Sequence, residues 1–373
     1  MSLCIVKSDS SSFSDASAKP VERVGFGATN KPEERLSVIA EAIQSNSQLT
    51  PIVVQFEEST CLPREVLLET HDEEYVDFIF GAHADLVLSK DPNWIDAAGA
   101  LVPNHVPDDK PRAYVPLYKQ VGWYVRDCMS PILCNTAVSA SVSAHAAYVA
   151  AERALEIVET TGQKRFVAAY ALVDSPGHHA KRAQANGYCY FNNAVIAARR
   201  LQQGGKKRVA ILDVDFHAGN GTSNMVQSEY IQDIFAVSLH ADPAKDYPSY
   251  EGYEEENVDQ LVRNIILPVG ATWNDYKTKL DLALHLIEEY NPDALVIAFG
   301  GDTYKDDPDA SPIARMALEL QDYVSMGNMI ASRLMLSWKL PTVITQEGGY
   351  CIEAMGTIAS NFLIGLTLPV NKN

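Results

Sequence analysis

Five short stretches, Phe166–Val173, Arg208–Asp213, Ile234–Leu239, Ala294–Phe299 and Pro341–Thr345, are largely apolar runs of strand length. A strand with one wet face alternates polar and apolar residues, whereas a strand covered on both faces does not. Between these runs lie helical patterns over Ala137–Thr160, Asn192–Gln203, Asp275–Tyr290 and Ala317–Leu334. Strand and helix thus alternate, as crossover connections between parallel strands require. The expected fold class is α/β: a single domain with a mostly parallel central sheet and helices on both faces. With 373 residues, 47% of them hydrophobic, one large core can be filled. No Pro/Ser-rich linker, internal repeat or heptad pattern interrupts the alternation. The serine-rich stretch Ser8–Ser17 predicts a mobile N-terminal arm over residues 1–20, leaving 21–373 as the folded domain.

The ends of these runs carry the chemistry. Val209–Leu212 gives way to Asp213-Val214-Asp215-Phe216-His217. In extended backbone Asp213, Asp215 and His217 project from one side while Phe216 faces the other. An imidazole and converged carboxylates are half of a zinc site with a position left open. Taken alone, such an end equally suits a solvated Asp pair beside a satisfied histidine, but three more junctions resemble it. Phe166–Val173 leads into Pro176-Gly177-His178-His179-Ala180, where adjacent histidines suit general acid and base work. Ala294–Phe299 leads into Gly300-Gly301-Asp302, a third ligand. Pro341–Thr345 leads into Gln346-Glu347-Gly348-Gly349-Tyr350, whose paired glycines permit a tight turn that aims a tyrosine hydroxyl. Ligands of open parallel sheets bind beyond the carboxyl ends of the strands, so the four junctions point to one site.

Here the sequence resembles the zinc-dependent histone deacetylase superfamily, and within it the bacterial acetylpolyamine amidohydrolases and class II-like enzymes. The matching segments are Gly187–Ala194, Asp213–Thr222, Val237–His240 and Glu347–Tyr350, within a likeness running from about Val24 to Leu366. The resemblance implies an arginase/deacetylase-like fold in which Asp215, His217 and Asp302 ligate Zn²⁺. His179 would be the base and Tyr350 the oxyanion donor, with His178 as an electrostatic partner oriented by Asp213 and Asn220 hydrogen-bonded to His179. It further implies a structural potassium ion held by Asp213, the hydroxyl of Ser238 and main-chain oxygens of Asp215, His217 and Leu239. Tyr188 and Tyr247 would line a narrow tunnel as substrate-binding aromatics. Asp309 would be a gatekeeper carboxylate, set against the reading of a solvated turn residue. Asp108 and Asp109, in the Pro-rich loop Val102–Arg112, are further acidic candidates for an entrance narrowed across a dimer contact. Where the family usually has a second histidine after His217 this chain has Ala218, which predicts altered packing around the ligands rather than loss of metal.

Composition narrows the rest. A net charge of −18 argues against nucleic-acid binding, which needs a basic footprint, and mildly favours a cationic ligand. No apolar run is long enough to span a bilayer, and no basic-then-apolar leader opens the chain, so a soluble cytoplasmic protein is expected. The 6 cysteines lack CxxC spacing, which suggests reduced thiols, with Cys189 in a packing role. The expectation is a zinc-dependent deacetylase of small cationic acetylamines, forming a homodimer or higher homo-oligomer. The alternatives are a protein acetyl- or acyl-lysine deacylase and a catalytically weak acyl-ligand-binding protein.

Overall fold

In the computed structural model these runs become strands of one sheet. The structure describes residues 2–8, 32–49, 51–56, 62–91, 93–94, 99–160, 167–228, 231–257, 261–335 and 338–367. Its strands are β1 Ser2–Ser8, β2 Pro51–Phe56, β3 Val167–Ala171, β4 Val209–Asp213, β5 Ile234–Ala241, β6 Val262–Leu267, β7 Ala294–Phe299 and β8 Thr342–Gln346. All pair in parallel, in the order β2-β1-β3-β8-β7-β4-β5-β6.

The two faces of β4 show why its sequence does not alternate. Val209 and Ile211 join a core shared with Ala147 and Ala151 of the helix Thr136–Thr160 and Val195 and Leu201 of the helix Asn193–Gln203. Ala210 and Leu212 point the other way, toward Leu280 and Leu284 of Trp273–Tyr290 and Phe362 of Ile352–Thr367. Both faces are dry, so both need apolar side chains. On the second face Phe299 of β7 stacks on Phe362 at 4.1 Å between ring centroids.

Register carries the site. Ala171, Thr345, Ala298, Asp213 and Ser238 are successive partners across β3, β8, β7, β4 and β5, so the loops after these strands leave the sheet from one rung. A third apolar cluster, built on Tyr75, Phe78 and Ile79 of the helix Glu73–Ser89, packs with Tyr190 and Phe191 against the loop after β3.

Two expectations change. Ser2–Ser8 is no arm: it is β1, paired on both sides, with Leu3, Cys4, Ile5 and Val6 buried. Leu3-Cys4-Ile5-Val6 is an apolar run short enough to be masked by the serine-rich stretch that follows it; residues 9–31, including the rest of that stretch, lie outside the described residues. The helix expected over Ala317–Leu334 begins only at Asp322, because Leu318 is held in a bridge with Tyr304. Among the described residues no helix is long and apolar enough to cross a membrane.

Candidate metal centre and active site

The side chains of Asp215, His217 and Asp302 bring one potential ligand atom each within 4.8 Å of one another. His217 Nδ1 lies 3.2 Å from Asp302 Oδ2 and 3.4 Å from Asp215 Oδ1. The carboxylates are fixed by backbone donors: Gly348 N–H donates to Asp215 Oδ2 at 2.8 Å and Phe216 N–H to Asp302 Oδ1 at 3.0 Å. Both carboxylates are fully buried, a costly arrangement unless a cation compensates them. Space is reserved as well. A Cβ on Gly300 would lie 2.1 Å from Asp215 Oδ2, and one on Gly348 2.4 Å from Asp302 Oδ2, so only glycine fits at either position. Two carboxylates and an imidazole, cradled in this way, suit a divalent ion with an open coordination position.

The tandem histidines flank this cluster with opposite electrostatics. His178 Nδ1 meets Asp213 Oδ2 at 2.9 Å, and its Nε2 lies 3.7 Å from Asp215 Oδ1. Burial opposes its charge, but the carboxylates of Asp215 and Asp213 outweigh burial and push the imidazole up to about 10. His179 Nδ1 faces Asn220 Oδ1 at 2.7 Å. Burial, reinforced by the neighbouring His178 and His217, holds its imidazole well below the usual histidine range, so it stays neutral.

These groups open into a cavity of about 680 Å³, lined among others by Tyr188, Tyr247, Asp309 and Tyr350. Tyr188 packs on Tyr350 at 5.8 Å, and Tyr247 stands edge-on to His179 at 4.8 Å. Gly187, at φ +50°, lets these elements close up: a Cβ there would be 2.4 Å from His179 Cδ2 and 2.9 Å from Tyr247 Cε1. Asp309 is partly buried, and its Oδ1 accepts from the Tyr188 hydroxyl at 3.4 Å. Asp108 and Asp109 are not among the residues that line the cavity. Asp213 and Ser238 stand side by side in register and Leu239 is buried in the core, but Asp213 is engaged by His178 and the Ser238 hydroxyl by His240 Nδ1 at 2.8 Å. The potassium ion that the resemblance implies gains no support from this arrangement. Ala218 is buried, and its methyl packs against Gly252, where a Cβ would approach it to 2.5 Å.

Several residues at the site carried no assignment from sequence. Glu347 is buried and accepts from Gly177 N–H at 2.6 Å and His178 N–H at 3.1 Å; burial pushes its carboxyl up to about 7. Its place directly after β8, beside Gly348-Gly349-Tyr350, is the signal that could have found it. Arg35 is fully buried and donates to the carbonyls of Glu347 and Asp174, its guanidinium carbon 5.5 Å from the centre of the Tyr350 ring. Asp127 accepts from Gly187 N–H at 2.7 Å and from the Tyr247 hydroxyl at 2.8 Å, tying two walls of the cavity together. Nothing in the pattern around Asp127 marks it.

Comparison with known proteins points to one family. Residues 29–366 match the model of the histone deacetylase domain. Acetylpolyamine amidohydrolase 1 of Pseudomonas aeruginosa is 38% identical over 312 residues, covering 81% of this chain and 82% of that protein. The acetylpolyamine amidohydrolase of Mycoplana ramosa is 32% identical over 310 residues, with 81% and 83% covered. The crystal structure of an acetylpolyamine aminohydrolase from Burkholderia pseudomallei superposes with a TM-score of 0.76 at 29% identity, covering 90% of each chain.

Proposed function

This chain belongs to the histone deacetylase family, and from that premise we propose that it is a zinc-dependent amidohydrolase that deacetylates small cationic acetylamines of the acetylpolyamine class. One observation carries the substrate class: the cavity above the buried Asp/His cluster is lined by the carboxylates of Asp309 and Asp246 beside the aromatic rings of Tyr188 and Tyr247. Aromatic walls suit an alkyl chain, and acidic side chains on the same cavity wall suit an ammonium.

We assign Asp215, His217 and Asp302 to the metal. When bound, a zinc ion supplies Lewis acidity toward the acetyl carbonyl and makes a water more acidic. His179 is neutral, and with Nδ1 donating to Asn220 its Nε2 is free to take the proton of the attacking water and to pass it to the departing amine. Tyr350, on the cavity wall, donates to the oxygen on which negative charge develops. His178, held by Asp213 at 2.9 Å, acts as an electrostatic partner rather than a base. The reading includes a cytoplasmic location and a homo-oligomer; the exposed Phe80, Val87 and Leu88 of the helix Glu73–Ser89 favour a covered face, which sedimentation would detect.

The deciding experiment compares kcat/KM on N-acetylputrescine, an acetyl-lysine peptide and a longer acyl-lysine peptide, with zinc content measured in parallel. Preference for the acetylamine is expected. Preference for either peptide overturns the substrate class in favour of a protein-lysine deacylase, and binding without turnover would make the chain an acyl-ligand-binding protein.

A further inference from the structure

Asn220 stands between His179 and a glutamate to which sequence reasoning gave no role. His179 Nδ1 meets Asn220 Oδ1 at 2.7 Å, and Asn220 Nδ2 donates to Glu251 Oε2 at 2.7 Å. The other carboxylate oxygen of Glu251 pairs with the ammonium of Lys181, two residues past His179. The line thus runs from a buried imidazole to a side chain that is 37% exposed.

Its chemistry is directional. A carboxylate paired with Lys181 only accepts hydrogen bonds, so the Asn220 amide must turn its NH₂ toward Glu251 and its oxygen toward His179. The oxygen also only accepts, so Nδ1 of His179 must carry the proton and Nε2 must carry the lone pair. With the amide reversed, its NH₂ would face Nδ1 and select the other tautomer, in which Nε2 is protonated and cannot serve as a base. The segment bearing Glu251 is itself held in place. Gly252 O pairs with His240 Nε2 at 2.8 Å, and Gly252 N–H donates to Glu256 Oε2 at 3.0 Å. The small Ala218 leaves room for Gly252 to pack there.

We propose that Glu251 is a positioning residue that sets the tautomer of His179 by fixing the orientation of the Asn220 amide. The proposal rests on the reading of His179 as the general base. It is tested with Glu251→Ala, and with Asn220→Asp in the presence and absence of Glu251→Gln, in zinc-loaded protein. Two readouts are used: kcat and KM on the best acetylamine, and ¹⁵N spectra of the imidazole rings, with His179 identified by its loss in His179→Gln. Glu251→Ala is expected to lower kcat about tenfold or more at unchanged KM and zinc content, and to move His179 away from a pure Nδ1–H tautomer. Asn220→Asp alone sets two carboxylates against each other and should be impaired. Adding Glu251→Gln, whose amide can donate to the new carboxylate, should recover kcat severalfold. Wild-type kcat and an unchanged tautomer in Glu251→Ala overturn the proposal, as does an Asn220→Asp defect that is the same with Glu or Gln at 251. If the wild-type protein hydrolyses no acetylamine, the functional reading fails, while the tautomer spectra still decide the role of Glu251.

Discussion

The carboxylate of Asp307 accepts the backbone N–H of Tyr350 at 2.7 Å through one oxygen and that of Asp309 at 3.0 Å through the other. One buried side chain thereby ties the turn carrying Tyr350, the proposed oxyanion donor, to Asp309, the proposed gatekeeper. Its removal frees both at once. Asp307→Ala is expected to lower kcat about ten- to a hundredfold, as losses of outer hydrogen-bonding partners do, while zinc content stays at the wild-type level. Unchanged kcat would show that the turn holds its shape without Asp307.

Two variants test whether Asp215, His217 and Asp302 hold the metal. His217→Ala removes a ligand and should abolish both zinc and turnover. Gly300→Ala removes no ligand, yet its methyl would sit 2.1 Å from Asp215 Oδ2 and 2.6 Å from Asp302 Oδ1, so it too should lose zinc. Elemental analysis decides both, and stoichiometric zinc in His217→Ala would sink the ligand set.

His179→Ala and Tyr350→Phe should separate chemistry from metal binding. Each is expected to keep zinc and to lose turnover by about a hundredfold or more, the usual cost of a positioned base or an oxyanion donor. KM should move less than kcat. Near-wild-type turnover in either variant removes that residue from its assigned role.

Of the six interior strands, all but β1 are legible in the sequence, together with the residues that leave their ends. β7 coincides with the apolar run Ala294–Phe299, and β4 begins one residue inside Arg208–Asp213, because strands dry on both faces write themselves as unbroken apolar runs. The edge strands were harder. β6 reads Val262-Arg263-Asn264-Ile265-Ile266-Leu267, where Arg263 and Asn264 break the run, and β2 at the other edge includes Pro51 and Gln55. The residues assigned to the chemistry stand next to strand ends and can be found there, whereas Asp127 and Glu251 make contacts with segments distant in sequence. No periodicity encodes such contacts.

Stability should fall in acid through His71. Its Nε2 accepts the N–H of Asn192 at 3.0 Å, the residue whose side chain caps the helix Asn193–Gln203, and burial pushes the imidazole down to about 4. The unfolded chain takes up that proton near 6.5, before the folded protein does. The contribution is therefore whole above about pH 6.5 and is lost as pH falls toward 4. His71→Gln should lose about 2–3 kcal/mol less stability than the wild type between pH 7.5 and 4.5, measured by denaturant titration at both pH values. Equal losses would place the acid sensitivity elsewhere, with His240, also pushed down to about 4 by burial, the next residue to test.

Asp309 is where the charge of the substrate is tested. Burial raises its carboxyl above the ordinary range, so the site holds an anion that a cationic group would stabilise, and the Tyr188 hydroxyl meets it only at 3.4 Å. A substrate ammonium reaching this carboxylate would meet a charge already stripped of part of its water, where pairing discriminates against neutral ligands. Asp309→Asn should then lower kcat/KM on N-acetylputrescine about ten- to a hundredfold, roughly 1–3 kcal/mol, and hardly change it on a neutral acetyl-lysine peptide. Raising the salt concentration should narrow the wild-type preference, because part of the attraction acts through solvent. Equal losses on both substrates would mean that Asp309 shapes the wall through Tyr188 rather than reading charge. The substrate class would then have to rest on Asp246, and Asp246→Asn would be the variant to measure.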